Sequence, residues 1–378
     1  LASTDLLYYA SGSLGLPGAM FTASHNPAQF NGIKLCLEGA APVGIDTGLA
    51  EIRATASTLL DGGPLPAAAT IGTRTERSML DGFVDHVLGF VELDRIDPMR
   101  IVADTANGMG GLVVPAVLER VPQIDLELMY GELDGTFPNH PADPLQPVNQ
   151  RDLRARVVAG SFDVGLAFDG DADRVFVVDE NGTGISGSTT TAMLAVAMLH
   201  SNPGATILHN LICSRAVPEI VIERGGIPVR TKVGHSNIKQ VMAETDAVFG
   251  GEHSAHYYFA GNYRADSGLI ATMLVVAEMS RKDQPLSVLR KPLERYAASG
   301  EINTQVADPA AVIERIATEY SQHPQDRLDG LTVDCTDYWF NIRPSNTEPL
   351  LRLNLEAIDR GICDDRVAEV LGSMTADR

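Results

Sequence analysis

The sequence predicts an α/β protein built from about three or more domains, and three observations predict it. Short apolar runs alternate with longer amphipathic stretches along the whole chain, the pattern of strands and helices taking turns. At 378 residues the chain exceeds what one ordinary core holds, so several domains are expected. Hydrophobic residues make up 44% and charged residues 21%, as in a soluble globular protein.

The elements follow in order. Residues 18–22 read as a strand running into a loop, and 33–37 as the next strand. A stretch rich in Gly, Pro, Ala and Thr over 61–75 reads as a linker, and 76–93 as a helix. A second α/β unit then shows a strand at 100–104, a helix at 111–121 and a strand at 124–130. Its loop over 134–147 is rich in Pro, Asp, Asn and Gly. Strands at 163–168 and 174–179 flank a cluster of aspartates. The third unit starts near Ser186, with helices over 190–199, 235–245 and 266–280 and strands at 205–209 and 228–232. The pattern resets near Tyr296. The last unit has a helix at 309–320, strands at 338–342 and 350–355, and a closing helix from Asp364.

Composition excludes several function classes. Lys and Arg number 29 against 49 Asp and Glu, a formal charge of −20. Such a surface repels nucleic acid and anionic membranes, so neither is expected as a partner. An anionic substrate would need a local basic pocket. The four cysteines, Cys36, Cys213, Cys335 and Cys363, form no CxxC pair, so neither a zinc ribbon nor a redox pair is indicated. Without a disulfide framework, a reducing, cytoplasmic setting is expected. No apolar run of about 18 residues predicts a membrane span. The first residues, Leu1 to Asp5, show no signal-peptide pattern and no initiator Met.

Four loops carry candidate chemistry. The first is Thr22-Ala23-Ser24-His25-Asn26-Pro27, followed by Asn31-Gly32-Ile33-Lys34. A serine at a strand end can accept a phosphoryl group if a base or metal activates it. On its own, the run reads more readily as a turn before a proline, and Lys34 as a solvated lysine. The second is Asp169-Gly170-Asp171-Ala172-Asp173-Arg174. Carboxylates at i, i+2 and i+4 can converge on one hard cation, and oxygen ligands select Mg²⁺ or Ca²⁺ over zinc. The other reading is a solvated acidic turn. Arg174 either balances that charge or grips a phosphate.

The third loop region joins Lys232-Val233-Gly234-His235 to Gly251-Glu252-His253-Ser254-Ala255-His256. His235 is expected at a helix N-terminus, which favours a neutral imidazole and nearby anions. Glu252 and Ser254 are expected on one side of an extended segment, where they can grip two neighbouring sugar hydroxyls. Alone, His235 reads as a helix-capping or half-buried histidine and Glu252 as a salt-bridge partner. The fourth is Arg343-Pro344-Ser345-Asn346-Thr347-Glu348-Pro349. It reads equally as a polar turn or as a phosphate cradle of one Arg, hydroxyls, an amide and backbone N–H groups. No GxxxxGK[ST] run is present, so it is not a Walker loop.

In this order the four motifs, TASHNP, DGDADR, GEHSAH and RPSNT, resemble the α-D-phosphohexomutase superfamily, closest to its bacterial phosphomannomutase/phosphoglucomutase branch. The resemblance covers essentially the whole chain. It implies three similar mixed-sheet α/β domains plus a C-terminal α+β domain, arranged around a central cleft. The first domain is expected to be truncated at its N-terminus and short of strands, because the branch's earlier phosphate-contacting motif is missing. Implied boundaries are 1–75, 76–185, 186–296 and 297–378, with the phosphoserine, metal, sugar and phosphate loops in that order.

The implied activity is a phosphosugar mutase that interconverts mannose 6-phosphate and mannose 1-phosphate, and also glucose phosphates, through a hexose 1,6-bisphosphate. Phosphoglucosamine mutase, a sugar-phosphate phosphatase and an inactive binding fragment are the alternatives. Ser24 corresponds to the phosphoserine. Asp169, Asp171 and Asp173, with an oxygen from phospho-Ser24, correspond to the Mg²⁺ ligands. Gly234, Glu252 and Ser254 correspond to the sugar grip, and Arg343, Ser345, Asn346 and Thr347 to the clamp on the non-transferring phosphate. His235, Lys34 and Arg174 stand where the family has proton-transfer or phosphate-contacting groups. Small sugar phosphates are the implied partners, and a monomer or homodimer the implied assembly. Two further departures are His253, where the branch often has Met, and Asn210 to Arg215, which lacks a lysine some members use.

Overall fold

A computed structural model describes residues 1–65, 67, 70, 72–344 and 350–375, with Asp46 described in its backbone only. The chain runs α1 (Thr4–Leu14), β1 (Gly18–Phe21), β2 (Ile33–Leu37), β3 (Ala41–Pro42), α2 (Leu49–Leu60), α3 (Leu80–Leu88), β4 (Met99–Asp104), α4 (Gly110–Leu118), β5 (Ile124–Met129), α5 (Arg151–Gly160), β6 (Val164–Phe168), β7 (Val175–Asp179) and β8 (Gly184–Ile185). It continues with α6 (Gly187–Ser201), β9 (Thr206–Asn210), α7 (Ala216–Glu223), β10 (Ile227–Thr231), α8 (His235–Thr245), β11 (Phe249–Gly251), β12 (Tyr257–Phe259), β13 (Ala265–Asp266), α9 (Gly268–Lys282) and α10 (Leu286–Arg290). It closes with β14 (Ala297–Gln305), α11 (Pro309–Glu319), β15 (Gln325–Asp326), β16 (Leu331–Asp334), β17 (Tyr338–Pro344), β18 (Leu350–Ala357) and α12 (Arg360–Thr375).

Contacts divide the chain into two compact units. One comprises Leu1–Ile185, Met242–Asp246 and His256–Leu286, the other Ser186–Val241, Ala247–Ala255 and Ser287–Arg378.

In the first unit, β1, β2 and β3 form an antiparallel sheet, with Gly18 opposite Cys36 and Phe21 opposite Ile33. A five-stranded mixed sheet has the order β5-β4-β6-β7-β8. There β4 runs parallel to β5 and β6, while β7 and β8 are antiparallel. Every residue of β6 and β7 is buried, because helices cover both faces and the strands can be apolar throughout. The aspartate-bearing loop caps these two strands and inherits their rigidity. Helix α1 begins at Ser3, whose hydroxyl accepts from the Leu6 amide, and ends at Gly15 in the left-handed conformation.

In the second unit, β9 pairs in parallel with β10 and β11. Ser186 caps α6 by accepting from the Thr189 amide. A separate antiparallel sheet, β14-β18-β17-β16-β15, packs on α11 and α12 through Ile313, Ile316, Phe340, Leu353 and Val370.

The expected elements are present with shifted ends, and α8 spans 235–245 as expected. The helix expected over 76–93 is shorter: only Leu80–Leu88 is helical. Its apolar face, Phe83, Val84, Val87 and Leu88, lasts little more than two turns, and Gly89 stands at the end. The first 60 residues carry three strands, and α2 buries none of its side chains. Among the described residues no helix is long and apolar enough to cross a membrane.

Candidate active site

Ser24 sits just beyond β1, in a turn where its φ is +53°. This left-handed conformation costs a non-glycine residue about 1 kcal/mol or more and is retained only where neighbours hold it. Here the Ser24 amide donates to Thr22 Oγ1 at 2.9 Å and the Asn26 amide to the Ala23 carbonyl at 3.0 Å. The turn brings Ser24 Oγ to 2.9 Å from Asp169 Oδ2 and 3.3 Å from His25 Nδ1. A cavity of about 480 Å³ opens beside the hydroxyl, lined in part by Phe21, Asn26, Phe30, Met109 and Asp171.

The aspartate loop is the hairpin connection between β6 and β7. Asp169, Asp171 and Asp173 are each at most 1% exposed, and each places an oxygen within 4.8 Å of the others. Three backbone segments hold the loop. Thr4 N–H donates to the Asp171 carbonyl at 3.0 Å and Met109 N–H to the Gly170 carbonyl at 2.9 Å. A Cβ on Gly170 would lie 2.3 Å from the Ser24 carbonyl oxygen, so only glycine allows the phosphoserine candidate to approach this closely.

Two cations offset this buried charge. Arg174, itself 2% exposed, donates from Nε to Asp169 Oδ2 at 2.9 Å. Lys34 Nζ lies 2.9 Å from Asp171 Oδ2 and contacts Asp173 Oδ2 and Thr4 Oγ1. Burial works against the Lys34 ammonium, but Asp173 and Asp171 hold its pKa well above the ordinary lysine value. Burial also opposes ionisation of Asp171, yet Lys34, Thr4 and Thr22 bring its pKa down to about 2. Asp173 moves the other way, raised by burial and then by the charge of Asp171. Both basic residues therefore serve the carboxylates in this structure.

The cluster fits a hard cation. Asp171 Oδ1 and Asp173 Oδ1 are buried without a hydrogen-bond partner, and the donor set is all oxygen, which suits a Mg²⁺-type ion. These three aspartates could hold such an ion beside Ser24.

The sugar-loop candidates lie in the second unit. His235 is the first residue of α8, and Gly234 before it has φ +115°. The Gly234 amide donates to Glu252 Oε1 at 3.2 Å, and Ser254 Oγ donates to Glu252 Oε2 at 3.1 Å. The Glu252–Ser254 segment is not extended as expected. It is a turn closed by the Ala255 amide on the Glu252 carbonyl at 3.0 Å, with Ala255 at φ +67°. The two side chains meet because the backbone folds back, not because they share a strand face. His253 points to Ser188, Nδ1 to Oγ 2.9 Å.

Arg343 ends near the edge of β17 and is 9% exposed. Its Nη2 donates to Glu301 Oε2 at 2.9 Å, and Arg352 Nη1 lies 3.6 Å from the same carboxylate. Ser345, Asn346 and Thr347 lie outside the described residues. Arg215 pairs with Asp334 and donates to the Thr336 carbonyl, so it is engaged on the C-terminal sheet.

Four contacts were missed by sequence reasoning. Thr4 and Thr22 both donate to Asp171 Oδ2, at 2.7 and 3.0 Å. His25 contacts Ser24 Oγ, and His256 Nε2 lies 3.8 Å from Asp173 Oδ1. Thr22 and His25 lie within the TASHNP run and were open to notice. Thr4 is 167 residues from its partner and left no local signal.

Comparison with known proteins decides the family. Models described as phosphoglucomutase/phosphomannomutase match domain I over residues 1–60, domain II over 81–183, domain III over 186–296 and the C-terminal domain over 301–372. The chain belongs to the phosphoglucomutase/phosphomannomutase family. It is 38% identical to the phosphomannomutase of Salmonella montevideo, over 98% of this chain and 83% of that protein. It is 37% identical, with the same coverage, to a Xanthomonas campestris protein named for phosphohexose mutases.

A family member from Burkholderia thailandensis superposes with a TM-score of 0.85 at 26% identity, over all of this chain and 82% of that one. Aspergillus fumigatus N-acetylphosphoglucosamine mutase, solved with GlcNAc-6P and magnesium, shares the fold at a TM-score of 0.65 and 16% identity, over 99% of this chain and 93% of its own. As a member of this family the chain has three α/β domains followed by a C-terminal domain. It is an isomerase, a phosphosugar mutase.

Proposed function

We propose that this mutase interconverts mannose 6-phosphate and mannose 1-phosphate in the cytoplasm, through phospho-Ser24 and a hexose 1,6-bisphosphate, and that it also accepts glucose phosphates. The observation that carries the reading is Ser24 Oγ at 2.9 Å from Asp169 within a buried triad of carboxylates. The mannose assignment draws on the relatives named phosphomannomutase.

In this reading the phosphoryl group leaves Ser24 Oγ for a free sugar hydroxyl. The serine O–P bond breaks, the sugar O–P bond forms, and the hydroxyl proton passes to a base, a role suited to His235 at the start of α8. The bisphosphate reorients, its other phosphate returns to Ser24, and the isomer leaves. Asp169, Asp171 and Asp173 would hold Mg²⁺, which supplies positive charge against the phosphoryl oxygens. Lys34 and Arg174 hold those carboxylates in place. Glu252, oriented by the Gly234 amide, and Ser254 grip neighbouring sugar hydroxyls. Arg343, with Ser345, Asn346 and Thr347, receives the non-transferring phosphate while Glu301 steadies its guanidinium.

A coupled assay with mannose 1-phosphate, Mg²⁺ and a trace of hexose 1,6-bisphosphate tests this. Mannose 6-phosphate is the expected product. Release of free phosphate alone would make the chain a phosphatase, and no product would leave it a binding protein.

A further inference from the structure

The loop between β5 and α5 carries a histidine that the mechanism above does not use. His140 Nε2 lies 2.9 Å from Asp104 Oδ2, and its Nδ1 lies 2.9 Å from the Pro141 carbonyl oxygen. Both partners are acceptors. A neutral imidazole has one N–H and one lone pair, so it would set a lone pair against an oxygen on one side. Only the doubly protonated ring satisfies both contacts. The ring is 15% exposed and the Asp104 side chain 2%, so the pair is largely shielded from solvent. Tyr130 packs edge-on against the ring at 5.4 Å between centroids.

What this ion pair joins gives it a purpose. Asp104 ends β4 and accepts the Ala106 amide on Oδ1 at 2.9 Å. Ala106 and Asn107 follow with φ +48° and +59°, two consecutive left-handed residues that need outside support. The opposite loop supplies it. Asn107 N–H donates to the Tyr130 carbonyl, Asn107 Nδ2 to the Glu132 carbonyl and Asn139 Nδ2 to Asn107 Oδ1, all at 2.8–2.9 Å. The supported segment then seats the aspartate loop through Met109 N–H on the Gly170 carbonyl. A Cβ on Gly108 would lie 2.6 Å from that same oxygen, so the two backbones are in close contact.

We propose that His140, as an imidazolium held between Asp104 and the Pro141 carbonyl, is a positioning residue that locks the 130–141 loop onto the 104–109 segment and thereby seats the Asp169–Asp173 loop beneath Ser24. The catalytic part of this inference rests on the mutase reading. The lock itself does not.

The lock has a pH dependence of definite sign. The hydrogen bond to Asp104 raises the His140 pKa above its ordinary value, burial opposes this, and the Asp104 charge and Pro141 carbonyl add to the rise. The groups facing the ring are Asp104, Tyr130 and Asp152, the last of which accepts from Tyr130 Oη at 3.2 Å. The pair is therefore complete at low pH and is lost as pH rises through the raised histidine value.

The test combines a direct and a kinetic measurement. In the wild-type protein, ¹⁵N shifts of the His140 ring at pH 7.5 should report both nitrogens protonated. In His140→Gln, kcat for the mutase should fall roughly 10-fold or more, as for other partners that orient a metal-binding loop. KM for mannose 1-phosphate should stay within about twofold, since the sugar-loop residues are untouched. The alkaline limb of the kcat profile should disappear, and amides of residues 169–174 should exchange faster. Asp104→Asn combined with His140→Gln should be no worse than His140→Gln alone, because the two residues act as one pair. A neutral ring at pH 7.5, wild-type kcat in His140→Gln, or unchanged exchange in 169–174 would overturn the proposal. If the wild type isomerises nothing, the functional reading fails on its own, and ring protonation and amide exchange still decide the lock. If His140→Gln does not fold, the wild-type ring shifts decide it.

Discussion

Ser24→Ala is expected to lower mutase turnover by roughly 10³-fold or more, while mannose 1-phosphate still binds within a few fold of wild type. The hydroxyl carries the phosphate in every cycle, so no other group substitutes for it. The sugar is held elsewhere, by Glu252, Ser254 and the Arg343 loop, and its affinity should survive. The substitution is structurally mild: the Ser24 turn is held by its amide on Thr22, a contact alanine keeps. The one bond lost is the 2.9 Å contact to Asp169, and Arg174 still pairs with that carboxylate. Stopped-time product assays and equilibrium binding on the same preparation separate the two effects. Turnover within about tenfold of wild type would remove Ser24 from the mechanism.

Asp171→Ala has the second largest expected effect. Asp171 is the central member of the triad and the one whose pKa is drawn down to about 2, so it keeps its charge at every working pH. Without it, Lys34 retains Asp173, while Thr4 and Thr22 lose their acceptor. Activity should drop by about 10²–10³-fold, the scale seen when one preorganised electrostatic group is removed. The remainder should no longer respond to Mg²⁺ or to chelator. Stability should fall by about 2 kcal/mol from the orphaned buried donors, measurable by denaturant titration. Calorimetric titration with Mg²⁺ gives a readout independent of turnover. A variant that binds Mg²⁺ and turns over as wild type does would remove Asp171 from the metal site.

The sequence made some features legible and hid others for physical reasons. The aspartate loop was readable because three carboxylates at alternate positions are costly unless something gathers them. The hairpin gathers them, and the small residues between allow it. The start of α8 was readable because Gly234 punctuates an apolar-periodic run. By contrast, the roles of Lys34 and Arg174 depend on which partner is nearest in space, and the sequence offered only the choice between balancing charge and binding phosphate. In this structure both contact the aspartates. The Glu252–Ser254 pair was placed on an extended segment by its period of two. The left-handed Ala255 that makes it a turn has no sequence signature, since alanine seldom adopts that conformation. Strand β14 escaped notice because Ala297 to Gln305 is small and polar, with only a weak apolar alternation. Helix α5 escaped because its buried face is reduced to Leu153 and Val157.

The account's central claim is that Ser24 carries the phosphate. It is tested most directly by incubating the protein with hexose 1,6-bisphosphate labelled with ³²P at either phosphate, isolating the protein, and mapping the labelled peptide by mass spectrometry. The predicted result is label on Ser24 alone, which chases into sugar phosphate when unlabelled mannose 6-phosphate and Mg²⁺ are added. Isomerisation that proceeds with no label on the protein, or with label on another residue, would contradict it.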